Sequence, residues 1–335
     1  MRIPMLVCCL ALLLPLTIRA QSDSCEQPYS DSLPPILRDI AWSPDGKQVA
    51  AFDANGFQLY EAVDWDAPPQ HVELDVLHSH SLAYSQDSSR LVVTFHCTQS
   101  EAVTFWAQVY DAQTRDLLHE FPGAFEAAFI QQDTQLITAG WQIQVWALET
   151  EQPLQRFGDY YWGTHVMAVH PDEPYLLAGN LGEGGHIWNY ETGVMIAPVQ
   201  AELFAAAFTP DGAGMVYSGR GEVTFQSLDD PTTLTAVKTG VEQSVNAIAF
   251  HPTLDLLAVL HDEGALTLLN TGGDILGQYE SYASDSSVII ETGIAFSPDG
   301  QWLATPGNEN AVILWQVEPD GALTIVHILP EYVAD

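Results

Sequence analysis

Basic residues are scarce in this 335-residue chain: 9 lysines and arginines stand against 44 aspartates and glutamates, a formal charge of −35. A surface so acidic repels polyanions, which argues against nucleic acid and anionic membrane as partners and favours basic proteins, cationic peptides and divalent cations. The same acidity also serves plain solubility. Disorder does not account for it, because 47% of residues are apolar and only 16% are charged. Long apolar runs are missing beyond the first twenty residues, and so are long amphipathic helical patterns. Catalytic signatures are missing as well: there is no His-Glu-x-x-His, no Gly-x-Ser-x-Gly and no Walker loop. The glycine-rich run at 179–185 leads into a strand-like His186-Ile187-Trp188 rather than into a helix whose N-terminus holds phosphate, so it reads as a hairpin turn. No catalytic residue, cofactor or metal site is expected.

Residues 1–20 have the build of a secretory leader. Arg2 supplies the charged start, no charge follows from Ile3 to Ile18, and Ala20 offers a small residue for cleavage. A spanning helix needs about 20 apolar residues, and Pro4, Pro15 and Arg19 shorten this stretch, which favours a cleaved leader over a retained anchor. The polar Gln21, Ser22, Asp23 and Ser24 argue against a lipid on Cys25. The mature protein is thus expected to be exported, whether secreted, periplasmic or held in the cell envelope, with a charge of about −37 once Arg2 and Arg19 are gone. Cysteine is rare, and losing the leader with Cys8 and Cys9 leaves Cys25 and Cys97, an even pair in an oxidising compartment. A disulfide between them is the expectation and two isolated thiols the alternative. Cys97 is placed in a loop between the second and third strands of its repeat.

What the chain does contain is a repeat. Segments beginning at Asp39, Ser81, Glu126, Val166, Ala205, Ala247 and Gly293 share the template of DIAWSPDG and GIAFSPDG. They align Ala41, Ala83, Ala128, Ala168, Ala207, Ala249 and Ala295 in one column, and Trp42, Tyr84, Phe129, Val169, Phe208, Phe250 and Phe296 in the next. Successive spacings in the second column are 42, 45, 40, 39, 42 and 46 residues. Alternate positions of a strand face opposite ways, so each segment shows an alanine on one side and a bulky residue on the other. Uniform alanine implies crowding around a common axis, with the aromatic side filling the space between sheets. Pro-Asp-Gly triplets end these strands, and three further apolar runs follow in each unit. Four strands in each of seven repeats predict an all-β fold, a seven-bladed β-propeller of four-stranded antiparallel blades, each blade contiguous in sequence.

The Ala-aromatic-Ser-Pro-Asp-Gly segments, together with Trp146, Trp188 and Trp315 on third strands, resemble WD40 repeats over essentially all of residues 36–329. The chain departs from the family where Ala147, Asn189 and Gln316 follow those tryptophans in place of aspartate, and no Gly-His pair precedes the inner strands. The family's buried His-Asp network is therefore expected to be eroded. The resemblance implies a non-catalytic platform for protein partners. The domain plan is a leader at 1–20, an extension at 21–35, the propeller at 36–330 and a tail at 331–335, as a monomer.

Two regions are candidate binding surfaces. The connection at 159–165 carries Tyr160, Tyr161 and Trp162 in succession, followed by His165; three adjacent aromatics cannot all be buried on one strand face, and Tyr and Trp are enriched at interface hot spots. The plainer reading has Tyr160 and Trp162 packed beneath the loop. The second region is a ring of positions four residues before the bulky column: Arg38, His80, Phe125, His165, Phe204, Asn246 and Thr292. It sits where each chain segment approaches the central channel, and it mixes cation, imidazole, aromatic and amide, as either a recognition surface or ordinary solvent exposure would. His78, His80 and His96, the last placed in a later loop of the same repeat, have the residue types of a zinc site, but no carboxylate is fixed among them and surface or packed histidines explain them better. His170 and His251, each before a proline, read as turn residues. The partner expected is a protein or peptide, preferably basic. The competing class is a divergent propeller enzyme or metal-dependent carbohydrate-binding protein whose carboxylates and histidines, among them Asp39 and Glu126, converge in the channel.

Overall fold

In the computed structural model, which describes residues 37–329 apart from 54, 75, 77, 100, 101, 181, 231 and 282–292, each repeat folds into one four-stranded antiparallel sheet, seven in all. The leader, the extension with Cys25, the 331–335 tail and Thr292 lie outside the described residues. Within every sheet the strands follow chain order from the innermost outward, so each blade is one contiguous stretch. The innermost strands of blades 1 to 7 are Asp39–Trp42, His78–Tyr84, Glu126–Ile130, Val166–Val169, Ala206–Phe208, Val245–Phe250 and Ala295–Phe296. Helical content among the described residues amounts to three single 3-10 turns. No helix there is long and apolar enough to cross a membrane.

The Pro-Asp-Gly turns form for a local reason. The hydroxyl of Ser43 donates to Asp45 at 2.8 Å and accepts the N–H groups of Lys47 and Gln48, while Gly46 takes φ +72°, a backbone conformation glycine adopts without steric cost. Ser297 and Asp299 repeat the bond in blade 7, at 2.7 Å. These turns define a lower face; the ends where inner strands begin define an upper face.

Seven apolar clusters hold the ring, one between each pair of adjacent blades. Ala41 packs in the cluster that contains Tyr84 of the next blade, Ala83 with Phe129, Ala168 with Phe208 and Ala295 with Trp42. Both columns thus face neighbouring blades, small against large, rather than alanine facing an axis and aromatics facing the sheets. Alternation along the strand produces this: one side of each sheet looks forward around the ring and the other looks back. The alanines are half-buried because their strands also border the channel. Closure needs no exchanged strand among the described residues. Gly293 N–H donates to the Arg38 carbonyl at 2.9 Å, and Ile40, Trp42 and Tyr60 of blade 1 pack on Val312, Leu314 and Leu329 of blade 7.

Polar links join the apolar clusters in holding the blades. Trp146 and Trp315 donate to Thr138 and Thr305 at 2.9 and 2.8 Å. His170 and His251, read as turn residues, are clasps between blades. In each, Nδ1 accepts two backbone N–H groups of its own turn and Nε2 donates at 2.9 Å to a glycine carbonyl of the next blade, Gly212 or Gly300.

Candidate upper-face binding site

The channel mouth is a cavity of about 200 Å³ lined by residues at or just before the inner strands of all seven blades, among them Arg38, His80, His165, Phe204 and Asn246. Five of the ring positions therefore meet where the alignment placed them. Phe125 does not: it is buried behind the rim, 4.2 Å from the Phe105 ring centroid and 4.8 Å from His165, and Glu126 takes its place in the lining. The asymmetry comes from the tight approach of the next connection, where a Cβ on Gly163 would come within 3.0 Å of the Phe125 ring.

The Asp39 carboxylate is taken up by two backbone N–H groups, Ile40 and Leu82, each at 2.8 Å. Burial, opposed by those bonds, pushes its carboxyl up to about 7. His78, His80 and His96 form a triangle with ring centroids 5.2 to 5.3 Å apart, and His80 Nε2 lies 3.0 Å from His96 Nδ1. Arg38 donates to His78 Nδ1 at 3.4 Å. Burial first and the Arg38 charge next bring His78 down to about 4; burial holds His80 well below the ordinary imidazole value. Burial thus favours the neutral form of all three imidazoles. Among the described residues no group of three or more His, Cys, Asp or Glu is arranged to hold a metal ion.

His96 and Cys97 lie within a strand, Arg90–Gln99, rather than in the loop expected from sequence, because the second and third strands of blade 2 form a hairpin of ten residues each. Cys97 is buried.

The aromatic connection divides into a foot and a crest. Tyr160, a candidate contact residue on sequence, is buried: its hydroxyl donates to the Ala178 carbonyl at 2.8 Å and accepts the Trp188 indole N–H at 3.0 Å. It anchors the loop from below. Tyr161 and Trp162 project outward, 77% and 62% exposed, their rings edge to face at 5.0 Å. Their backbone is held while their rings are free. Glu183 accepts the N–H groups of Tyr161 and Trp162 at 3.3 and 3.4 Å, and Asn180 donates both to Glu183 and to the Gly163 carbonyl. The Asn180 hydrogen bond, followed by these N–H groups, holds Glu183 below the usual carboxylate range. The glycine-rich 179–185 turn is the brace of the loop.

The sequence reading missed Trp141 and Phe105. Trp141, 49% exposed, stands edge-on to Phe125 at 5.5 Å and to Phe105 at 6.4 Å, and its carbonyl accepts Tyr160 N–H at 2.9 Å. Its signal was a tryptophan directly after Gly140, in a turn where small polar residues are usual. Trp141, Tyr161, Trp162 and His165 make one crest across blades 3 and 4, continuous through Phe125 and Phe105 with the histidine triangle.

The WD domain, G-beta repeat family matches residues 276–316, from the outermost strand of blade 6 to the third strand of blade 7. Comparison with curated proteins returns no match. Among solved structures, a chain in the crystal structure of a mitotic checkpoint complex is similar in fold, with a TM-score of 0.70 over 88% of this chain and 98% of that one, at 16% identity.

Proposed function

We propose, for a chain that is a seven-bladed WD40-repeat β-propeller, that it works as an exported, monomeric, non-catalytic platform gripping a basic protein or peptide on its upper face. The observation that carries this reading is the crest: Tyr161 and Trp162 are exposed on a loop whose backbone is braced by Glu183 and Asn180. Exposed aromatics on a fixed backbone cost little ordering on binding and supply large contact area, as hot spots do. The net charge of −35 supports a cationic partner, whose encounter it accelerates over a range set by salt.

The two contributions separate by experiment. With a partner captured from exported and envelope proteins of the native source, Tyr161→Ala/Trp162→Ala is expected to raise the dissociation rate roughly 30-fold at every ionic strength, equivalent to about 2 kcal/mol. Added salt is expected to act mainly on association. A double variant that dissociates like the parent refutes the crest and moves attention to Arg38, His80 and His165 at the channel. Export and the Cys25–Cys97 bond are tested together by intact mass and non-reducing peptide mapping of protein from the native source. A chain starting at residue 21 with those two cysteines linked is expected; one starting at Met1, or a free Cys25, refutes the corresponding half.

A further inference from the structure

Two slots at the lower face, one on each wall of a blade interface, hold a tryptophan, tyrosine or histidine in at least one of the pair at six of the seven interfaces; between blades 5 and 6 neither slot does. In five blades the third-strand residue at one register position is a tryptophan or tyrosine: Tyr60, Tyr110, Trp146, Trp188 and Trp315, each packed against the preceding blade. Blade 5 has Gln226 there, but His170 reaches across that interface to Gly212. In blade 6 the position is Leu269, in a cluster without a fully buried aromatic. On the facing wall of blade 5, the slot that holds His170 in blade 4 and His251 in blade 6 is occupied by Thr209. Its hydroxyl turns back on its own turn, donating to Asp211 at 2.6 Å.

An imidazole and an indole are in effect missing from this interface, and a groove of about 630 Å³ opens at the lower face. Its apolar wall comes from Phe225 and Phe250, its rim carries Asp211 and Asp255, and no described lysine or arginine lines it. We infer that this groove is a binding site for a small aromatic cation, a planar ring bearing an ammonium or amidinium group. The half-buried rings of Phe225 and Phe250 offer stacking surface to the ligand's ring, and a cation beside them gains from both ring faces and carboxylates. The hydrogen bond from Thr209, then the Ala213 N–H, holds Asp211 below the usual carboxylate range, so it is charged at neutral pH. The volume lies within the range of small-molecule sites, about 300–1,000 Å³.

Tryptamine and indole-3-acetate share a ring and differ in charge, which makes them the probes. Calorimetric titration of the full chain is expected to show tryptamine binding at least tenfold tighter than indole-3-acetate. Thr209→His, which restores the slot's imidazole, is expected to weaken tryptamine at least tenfold. Thr235→Trp, on the exposed outermost strand bordering the groove, is expected to do the same without touching the core, and decides the matter if Thr209→His fails to fold. Trp162→Ala, on the opposite face, is expected to leave tryptamine binding unchanged. Equal binding of the two probes, full binding by Thr235→Trp, or loss of binding in Trp162→Ala overturns the assignment.

Discussion

Gly300→Ala is expected to cost about 3 kcal/mol of folding stability, and the same substitution at Gly46 only about 1 kcal/mol. The two glycines end equivalent Ser-Pro-Asp-Gly turns and have nearly equal backbones, φ +71° and +72°. Left-handed strain on an alanine is therefore shared, at roughly 1–2 kcal/mol. The difference lies across the blade interface. A Cβ on Gly300 would fall 2.4 Å from His251 Cε1, whereas one on Gly46 would meet nothing nearer than Pro298 Cδ at 4.0 Å. The His251 ring is held by two N–H groups on Nδ1, by its own donation to the Gly300 carbonyl, and by edge-on contact with Phe296 at 5.1 Å. Displacing it leaves buried polar groups unmade, at about 1–3 kcal/mol. Denaturant melts of both variants measure the contrast, and His251→Ala supplies the control: in that background Gly300→Ala is expected to fall to the Gly46 value. Equal losses at the two glycines in the parent would falsify the clasp.

Acid is expected to destabilise the protein through its histidines. His78, His80, His96, His251 and His261 are all held below the ordinary imidazole value, with burial the first cause in each. A base depressed in the folded state binds fewer protons folded than unfolded. Its contribution is therefore intact above about pH 6.5 and drains away as pH falls towards the folded value, about 4 for His78 and His261. Asp39 runs the other way: a carboxyl raised to about 7 contributes most below 3.8 and loses that contribution as pH rises to about 7. One carboxyl against five imidazoles leaves the histidines dominant between about pH 4 and 6.5. His261 isolates the effect, being fully buried with Nε2 unpartnered and Nδ1 3.4 Å from the Gln243 carbonyl. Its share between pH 6.5 and 5 is on the order of 2 kcal/mol. Urea melts at pH 8 and pH 5 should show His261→Phe losing less stability on acidification than the parent by about that amount. A pH dependence identical in the two proteins would remove His261 from the account.

The inner strands and their order around the ring were legible because each repeat carries the same alternation and the same turn chemistry, and local patterns repeated seven times reinforce one another. The column from Arg38 to Asn246 was legible as channel lining for the same reason. Phe125 was not legible as buried, and buried Tyr160 could not be told from exposed Trp162, since nothing in Asp159-Tyr160-Tyr161-Trp162 or its neighbours distinguishes a ring that enters the next interface from one that leaves it. Cys97 and His96 were misplaced because a ten-residue hairpin looks locally like strand followed by loop.

From its own residues, then, the chain determined what depends on short stretches: which segments become strands, where they turn, how many blades result, and which strand positions are small and which bulky. Closing the ring decided the rest. Only that closure brought Gly300 under His251 and left Thr209 and Leu269 facing each other across an unfilled interface, and only the folding of blades 3 and 4 set Trp141 beside Phe125 and braced Trp162 through Glu183. Each of these joins residues 16 to 60 positions apart, and its energy depends on side-chain volume and direction in three dimensions, which the spacing of residues along a chain does not encode.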